Sequence, residues 1–336
     1  MAQRIGAQTV KIEGVSIISS AAVVGPKEAQ GPLCNDFDIC HIDSMVGERS
    51  FEKAESQLQS QALTIAVNKA GLKNNEIDIV FAGDLLNQCI GSSFGLMSFN
   101  IPFVGMYGAC STAALSIGNA AVFIDGGAAK RAAAVTSSHF CSSERQYRFP
   151  LEYGSVRTPT AQWTVTGAGA FVLSSGTDGA CVESVTFGKI EDLGVKDANN
   201  MGAAMAPAAA STIKAFFEDT ATKPDDFDAI YTGDLGQVGS DLLYELLKRD
   251  GLDISKKHKD CGLMIFDREH QDVHAGGSGC GCSASVLGGH IMKRLKSGKE
   301  NNILFCATGA LLSPTSTMQG ENVISIAHLI NIKNRS

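Results

Sequence analysis

One stretch of the chain occurs twice, and that repetition limits the folds open to it. Ile77-Asp78-Ile79-Val80-Phe81-Ala82-Gly83-Asp84-Leu85 reappears as Phe227-Asp228-Ala229-Ile230-Tyr231-Thr232-Gly233-Asp234-Leu235. Each copy reads as an apolar strand ending in Gly-Asp-Leu. Each follows a helical pattern, Ala54 to Ala70 in the first half and Ala208 to Phe217 in the second. The match continues downstream. Gly108-Ala109-Cys110-Ser111 opens a small-residue helix toward Gly126, and Gly281-Cys282-Ser283-Ala284 opens another toward Gly298. Each helix then meets a buried strand, Ala132 to Thr136 or Ile303 to Thr308, and each half begins with a β-rich run, Val15 to Val24 or Val182 to Ile190. Four elements recurring in one order predict a duplicated α/β protein with mostly parallel sheets and right-handed crossovers.

Charge and cysteine usage exclude several classes. The net charge is −7, and phosphate neutralisation needs clustered Lys and Arg, so no nucleic-acid partner is expected. The one basic cluster, Lys293-Arg294-Leu295-Lys296, reads as the solvated end of a helix. Ten cysteines in 336 residues do not make a disulfide scaffold. Cys181 and Cys306 lie in apolar runs, which suits free thiols in a reducing cytoplasm. Met1 to Gln8 lacks the apolar core of a signal peptide, and no apolar run is long enough to span a bilayer. The glycine cluster Ala275-Gly276-Gly277-Ser278-Gly279-Cys280-Gly281-Cys282 has no following lysine of the P-loop kind; its glycines let backbone approach a ligand or the facing half.

Cys110 is the first candidate site residue. At a helix N-terminus the dipole favours a thiolate, and the same N–H groups can hold a carboxylate; tight packing of a small side chain is the alternative. Gly108-Ala109-Cys110-Ser111 resembles the nucleophile loop of the thiolase and ketoacyl-synthase superfamily. Thr166-Gly167-Ala168-Gly169-Ala170-Phe171-Val172-Leu173 resembles its glycine–alanine strand. A closer resemblance covers nearly the whole chain, to the stage V sporulation protein AD family. It is carried by Phe81-Ala82-Gly83-Asp84-Leu85, by Pro159 to Ala170 with Gln162-Trp163, by Asn200 to Ala209, by Ala275 to Ala284 and by Ala307 to Pro314. The resemblance implies a thiolase-like α/β fold in five layers, αβαβα, with residues 1–176 and 177–336 as duplicated halves. It implies a homodimer formed through the first half. It also implies binding of dipicolinic acid, taken up with calcium during sporulation, alongside other proteins of the spore membrane transport complex. The chain itself would be cytoplasmic and peripheral on the spore inner membrane, with no resident cofactor or metal.

A condensing enzyme of this superfamily also needs a His and an Asn from the second half to stabilise an enolate and its oxyanion. Where the resemblance places them, this chain has Gly233-Asp234 and Cys280. His274 is the nearest spare imidazole. A binder that has lost its catalytic set is therefore the preferred reading. The rival is an acyltransferase with Cys110 acylated and Cys280 or Cys282 as base. A scaffold for membrane partners is a third. Asp84 and Asp234 either face the ligand and its calcium or cap the following helices, the commoner role for an Asp after a strand. Cys280, Cys282, Cys261 and His274 lack a zinc spacing. Arg148 and Arg157 could grip a carboxylate, and Trp163 could stack on a pyridine ring; a dimer contact or core role is the alternative. His139 reads as a polar residue at a subunit interface. Asn200 reads as an amide donor to the ligand or as a helix cap.

Overall fold

The structure, a computed structural model, describes residues 1–147 and 156–335. The first half supplies β1 (Val15–Val24), α1 (Phe51–Lys69), β2 (Ile79–Gly83), α2 (Ile90–Leu96), β3 (Phe103–Gly105), α3 (Thr112–Asp125), β4 (Arg131–Ser138), α4 (Phe140–Tyr147) and β5 (Gly167–Ser175). The second supplies β6 (Ala180–Phe187), α5 (Met201–Thr220), β7 (Ala229–Thr232), α6 (Gly236–Arg249), β8 (His258–Asp260), α7 (Cys280–Val286), β9 (Asn302–Leu311) and β10 (Ile324–Asn334).

The sheet order exposes the duplication. It runs β8-β7-β9-β10-β6-β1-β5-β4-β2-β3, so each half contributes its strands in the order third, second, fourth, fifth, first. The halves meet where β6 pairs antiparallel with β1 through Ala180 opposite Ile17 and Cys181 opposite Ser16. The expectation of mostly parallel sheets needs correction at one strand per half. β2 is parallel to β3 and β4, and β7 to β8 and β9. β5 and β10, however, run antiparallel to both of their neighbours. Each pairs along its length with the strand that precedes it, β4 or β9, and so returns antiparallel.

Five layers follow. α1 covers the outer face of the first-half strands and α5 that of the second-half strands. α3 and α7 lie between, with α3 packed on strands of both halves. α1 shows why the chain folds this way locally. Ser50 caps it by accepting from the Lys53 N–H, and Ala54, Leu58, Ala62 and Ala66 form a buried stripe at four-residue spacing. The middle layer needs small residues. A Cβ on Gly169 of β5 would sit 2.4 Å from the Ala284 carbonyl oxygen of α7, so strand and helix touch backbone to backbone.

Two elements depart from the local pattern. α5 begins at Met201, seven residues before the periodic stretch, and runs straight through Pro207. A mid-helix proline costs about 3 kcal/mol. Here nearly every residue from Ala204 to Ile213 is buried against β9, β10 and α6, and that packing offsets the cost. The helix expected from Gly281 to Gly298 is α7 followed by a π-helical turn, Leu287–Ile291, and a last turn, Met292–Lys296.

Candidate functional site

β2 and β7 end side by side with their partner strands, and the polypeptide beyond each strand carries Asp84 or Asp234. Between them Cys110 sits ahead of α3. Ala109, directly before it, adopts φ +48°, a left-handed conformation that costs a non-glycine residue of order 1 kcal/mol. Packing holds this elbow in place. β9 presses on it so closely that a Cβ on Gly309 would lie 2.3 Å from the Gly108 carbonyl oxygen and 3.2 Å from the Cys110 nitrogen. The elbow lifts Cys110 to the wall of a small, narrow cavity. Leu85, Ala109, Ala198, Met201, Ala310 and Leu312 make its apolar walls, and Tyr107, Ser143, Tyr147, Thr164 and Ser278 supply hydroxyls.

The thiol is not activated. Burial pushes the Cys110 thiol well above its usual range, and the negative charge of the nearby Asp234 carboxylate pushes it further. The Gly279 N–H and Ser278 hydroxyl act in the opposite direction and are outweighed. The helix-terminus argument from sequence therefore fails at this residue, because a fully buried carboxylate faces the thiol.

Asp234 gathers donors from three elements. Its Oδ1 accepts from Thr308 Oγ1 at 2.7 Å, and its Oδ2 accepts from the Gly279 N–H at 2.8 Å and Ser278 Oγ at 3.2 Å. Burial raises its pKa to about 6 against the pull of these donors. It does not cap α6. That turn is held by Asp260, which accepts the Leu235 and Gly236 N–H groups at 2.9 and 3.0 Å. Gln162 braces the same turn, donating to the Asp234 and Gly277 carbonyl oxygens at 2.7 and 2.8 Å.

Asp84 has a different fate. It accepts from the Leu86 N–H at 2.9 Å, the Ser92 N–H at 2.7 Å and Ser92 Oγ at 2.5 Å, so it holds the first turn of α2 and is fully buried away from the cavity wall. Each aspartate thus accepts three hydrogen bonds from the protein's own donors. Among the described residues no group of three or more His, Cys, Asp or Glu side chains is arranged to hold a metal ion.

Cys280 packs against Cys110 in a small buried cluster and donates to the Ser137 carbonyl oxygen at 2.9 Å. Cys282 points to the Gly233 carbonyl oxygen at 3.7 Å. Burial holds both thiols well above the usual range, so neither is poised as a base. Cys110, Asp234, Cys280 and Gln162 are thus brought together. Trp163, His274 and Asn200 do not line the cavity. Trp163 stacks on Phe140 at 3.7 Å between ring centroids, with Lys27 Nζ 3.8 Å and the Arg157 guanidinium 4.8 Å from its own centroid. His274 bonds the Thr158 carbonyl oxygen and Asp272. Asn200 accepts from the Ala203 N–H and caps α5, whose next residue, Met201, does reach the cavity. His139 is buried with Nε2 against the Ser44 carbonyl oxygen. Arg148 lies outside the described residues.

Sequence reasoning passed over Tyr107, Ser143, Tyr147 and Thr164. One signal was available: Ser143 and Tyr147 are four residues apart, one turn of α4, so they share a face. Asp260 was passed over as well, because its partners Leu235 and Gly236 are distant in sequence.

A duplicated αβαβα core with a cysteine on a strained elbow ahead of its central helix defines the class of proteins with a thiolase-like fold. Solved structures agree on the fold. The chain is similar to 3-oxoacyl-[acyl-carrier-protein] synthase III of Aquifex aeolicus VF5 (TM-score 0.59, 12% identity, 95% of this chain and 100% of that one). It is also similar to the tetronic acid condensing enzyme AbyA1 (0.61, 16%, 95% and 100%). A third is OleA of Xanthomonas campestris bound to cerulenin (0.62, 12%, 96% and 98%). Within that class the chain belongs to the stage V sporulation protein AD family, whose model matches residues 6–333. It is 47% identical over 324 residues to stage V sporulation protein AD of Bacillus subtilis (strain 168), covering 96% of each chain.

Proposed function

We propose that this chain is a non-catalytic dipicolinate-binding protein of the spore transport machinery, holding its ligand in the cavity at Cys110. The observation that carries the reading is the fully buried Asp234 carboxylate in the neighbourhood of the Cys110 thiol, which raises the thiol's pKa further. Condensation needs a thiolate and donors for a developing oxyanion. Here a buried acid with a pKa of about 6 opposes both, and no imidazole lines the cavity among the described residues.

The cavity's chemistry supports a flat acidic ligand whose charge is already compensated. Its apolar walls suit an aromatic ring and its hydroxyls suit carboxylate oxygens, while no Lys or Arg is among its described lining residues. A free dianion beside Asp234 would be repelled; a calcium complex would be neutral. Calcium enters this reading only as part of the cargo, and no aspartate of the chain is assigned to it.

Titration calorimetry with dipicolinate, with and without calcium, on the wild type and Cys110→Ala tests the reading. Saturable binding strengthened by calcium is the expected result. Absence of binding under both conditions would overturn it. Incubation with acyl-CoA separates the rival acyltransferase: a stable mass increase on Cys110 with product turnover would replace the binder with an enzyme.

The partners follow from the same reading. β3 forms a free sheet edge, and Ile90, Phe94, Met97 and Phe103 expose apolar surface beside it, which supports a homodimer through the first half. A dimer mass by light scattering is expected. Among the described residues no helix is long and apolar enough to cross a membrane. Attachment to the spore inner membrane is therefore proposed to run through other proteins of the transport complex.

A further inference from the structure

The cavity wall contains one uncommitted donor. Tyr147 gives its hydroxyl hydrogen to the Leu85 carbonyl oxygen, so the 3.0 Å contact between Tyr107 and Tyr147 has Tyr107 as donor. Ser278 donates to Asp234, and Thr164 is directed to Glu144 at 3.5 Å. The Cys110 thiol lies near the Asp234 carboxylate. Ser143 differs from all of these. It lines the cavity, it is only 3% exposed, and its Oγ has no hydrogen-bond partner among the described residues. Its neighbour Ser142 shows what such a hydroxyl ordinarily finds, donating to the Glu55 carboxyl at 2.7 Å and bonding back to the His139 carbonyl oxygen at 3.2 Å.

A buried hydroxyl without a partner is destabilising, and such groups persist in native proteins when something outside the resting fold completes them. We infer that Ser143 is a ligand-anchoring residue, whose hydroxyl donates to a carboxylate oxygen of the bound ligand. The inference rests on the dipicolinate reading above and adds a contact to it. Geometry also sets the direction of approach. Ser143 and Tyr147 lie on one face of α4, and the tyrosine pair ties that helix to the turn after β2 and to the Cys110 loop. Ser143 therefore belongs to a fixed wall, with its hydroxyl covered in the ligand-free protein.

Ser143→Ala in the full chain separates this role from a structural one, because the two predict opposite signs for stability. Removing an unpaired buried hydroxyl from a helix should raise the ligand-free melting temperature by about 2 °C. The same change should weaken calcium dipicolinate binding by about tenfold or more, as expected for loss of a hydrogen bond to a charged group. Calorimetry and thermal melts on wild type and variant read both. A lowered melting temperature would show that the hydroxyl has a partner in the protein and would overturn the inference. So would unchanged affinity in a variant that melts higher, while leaving the dipicolinate reading intact. A wild type that binds no dipicolinate overturns both, and the pattern of results tells these cases apart.

Discussion

Replacing Asp234 with asparagine probes the electrostatics of the cavity wall most directly. In the native protein the Cys110 thiol lies near the buried Asp234 carboxylate, so ionising the thiol brings two negative charges close together. Two unit charges about 4 Å apart repel by about 4 kcal/mol at an effective dielectric near 20, equivalent to about three pKa units. Asparagine keeps the shape and one acceptor for the Gly279 N–H but removes the charge. Desolvation, the largest cause of the raised thiol pKa, is untouched. Asp234→Asn should therefore bring the Cys110 thiol down without making it an ordinary cysteine. The thiolate fraction at pH 8 should rise by about tenfold at least and by about 10³ at the Coulomb limit. The assay is alkylation of the folded protein by iodoacetamide between pH 6.5 and 9.5, followed at Cys110 by peptide mass mapping. Cys306 is the internal control, since burial alone pushes it up to about 12 and no carboxylate contributes. An alkylation rate at Cys110 no faster in the variant than in the wild type, with Cys306 unchanged, would refute the claim that Asp234 holds the thiol protonated.

The remaining predictions address packing and titration. Trp163→Ala should cost about 3 kcal/mol in urea unfolding, since it deletes a ring stacked on Phe140, yet leave dipicolinate affinity within about twofold; a large loss of affinity would return Trp163 to the ligand. Gly309→Ala should destabilise by about 1–3 kcal/mol and disturb the Cys110 loop, because its methyl group would meet the Gly108 carbonyl; a wild-type melting temperature would contradict that contact. Stability should fall as pH rises through 7 to about 8, the upper end of a window that opens near pH 4. Glu55 at about 8, with Glu28 and Asp260 at about 7, have folded pKa values above the unfolded value of about 4. Each contributes stability that is fully present below about pH 4 and lost as pH rises through its folded pKa. His258 and His328, held down to about 4, have finished their opposite contribution by pH 7. Glu55→Gln, facing two serine hydroxyls that can reorient, should flatten the upper part of this decline; an unchanged slope in thermal melts would remove Glu55 as its source.

Much of the architecture was legible because periodicity and repetition are local signals. The strands leading into Gly-Asp-Leu, the small-residue helix after Cys110 and the buried strands stand where the pattern placed them, while the second small-residue helix is interrupted by a π-helical turn. What the pattern could not carry was pairing between distant segments. Nothing near Ala180 announces that β10 will run antiparallel beside β6. Pro207 reads as a helix breaker in any local window, and only burial on β9, β10 and α6 reverses that. Trp163 looked available for a ligand ring because its partners, Phe140, Lys27 and Arg157, come from three separate stretches of chain.

The two Gly-Asp-Leu copies show how one motif acquires two tasks. Both aspartates are buried at the end of a central strand, and both accept a backbone N–H and a hydroxyl from a following segment. For Asp84 the acceptors close on α2, eight residues downstream, and the carboxylate becomes part of the scaffold. For Asp234 the following segment is the distant glycine loop at Gly279, and the strand beside it contributes Thr308. That arrangement leaves the carboxylate near the elbow of the other half, where its charge acts on the Cys110 thiol. The neighbouring turn is already supplied by Asp260, so Asp234 is not needed to cap α6 and is free to face the thiol. The difference lies in which backbone comes to meet each carboxylate, and that is set by the chain that follows each repeat. An acid in this place opposes a thiolate at Cys110 while the hydrogen bond it accepts from Ser278 fixes that residue in the cavity wall.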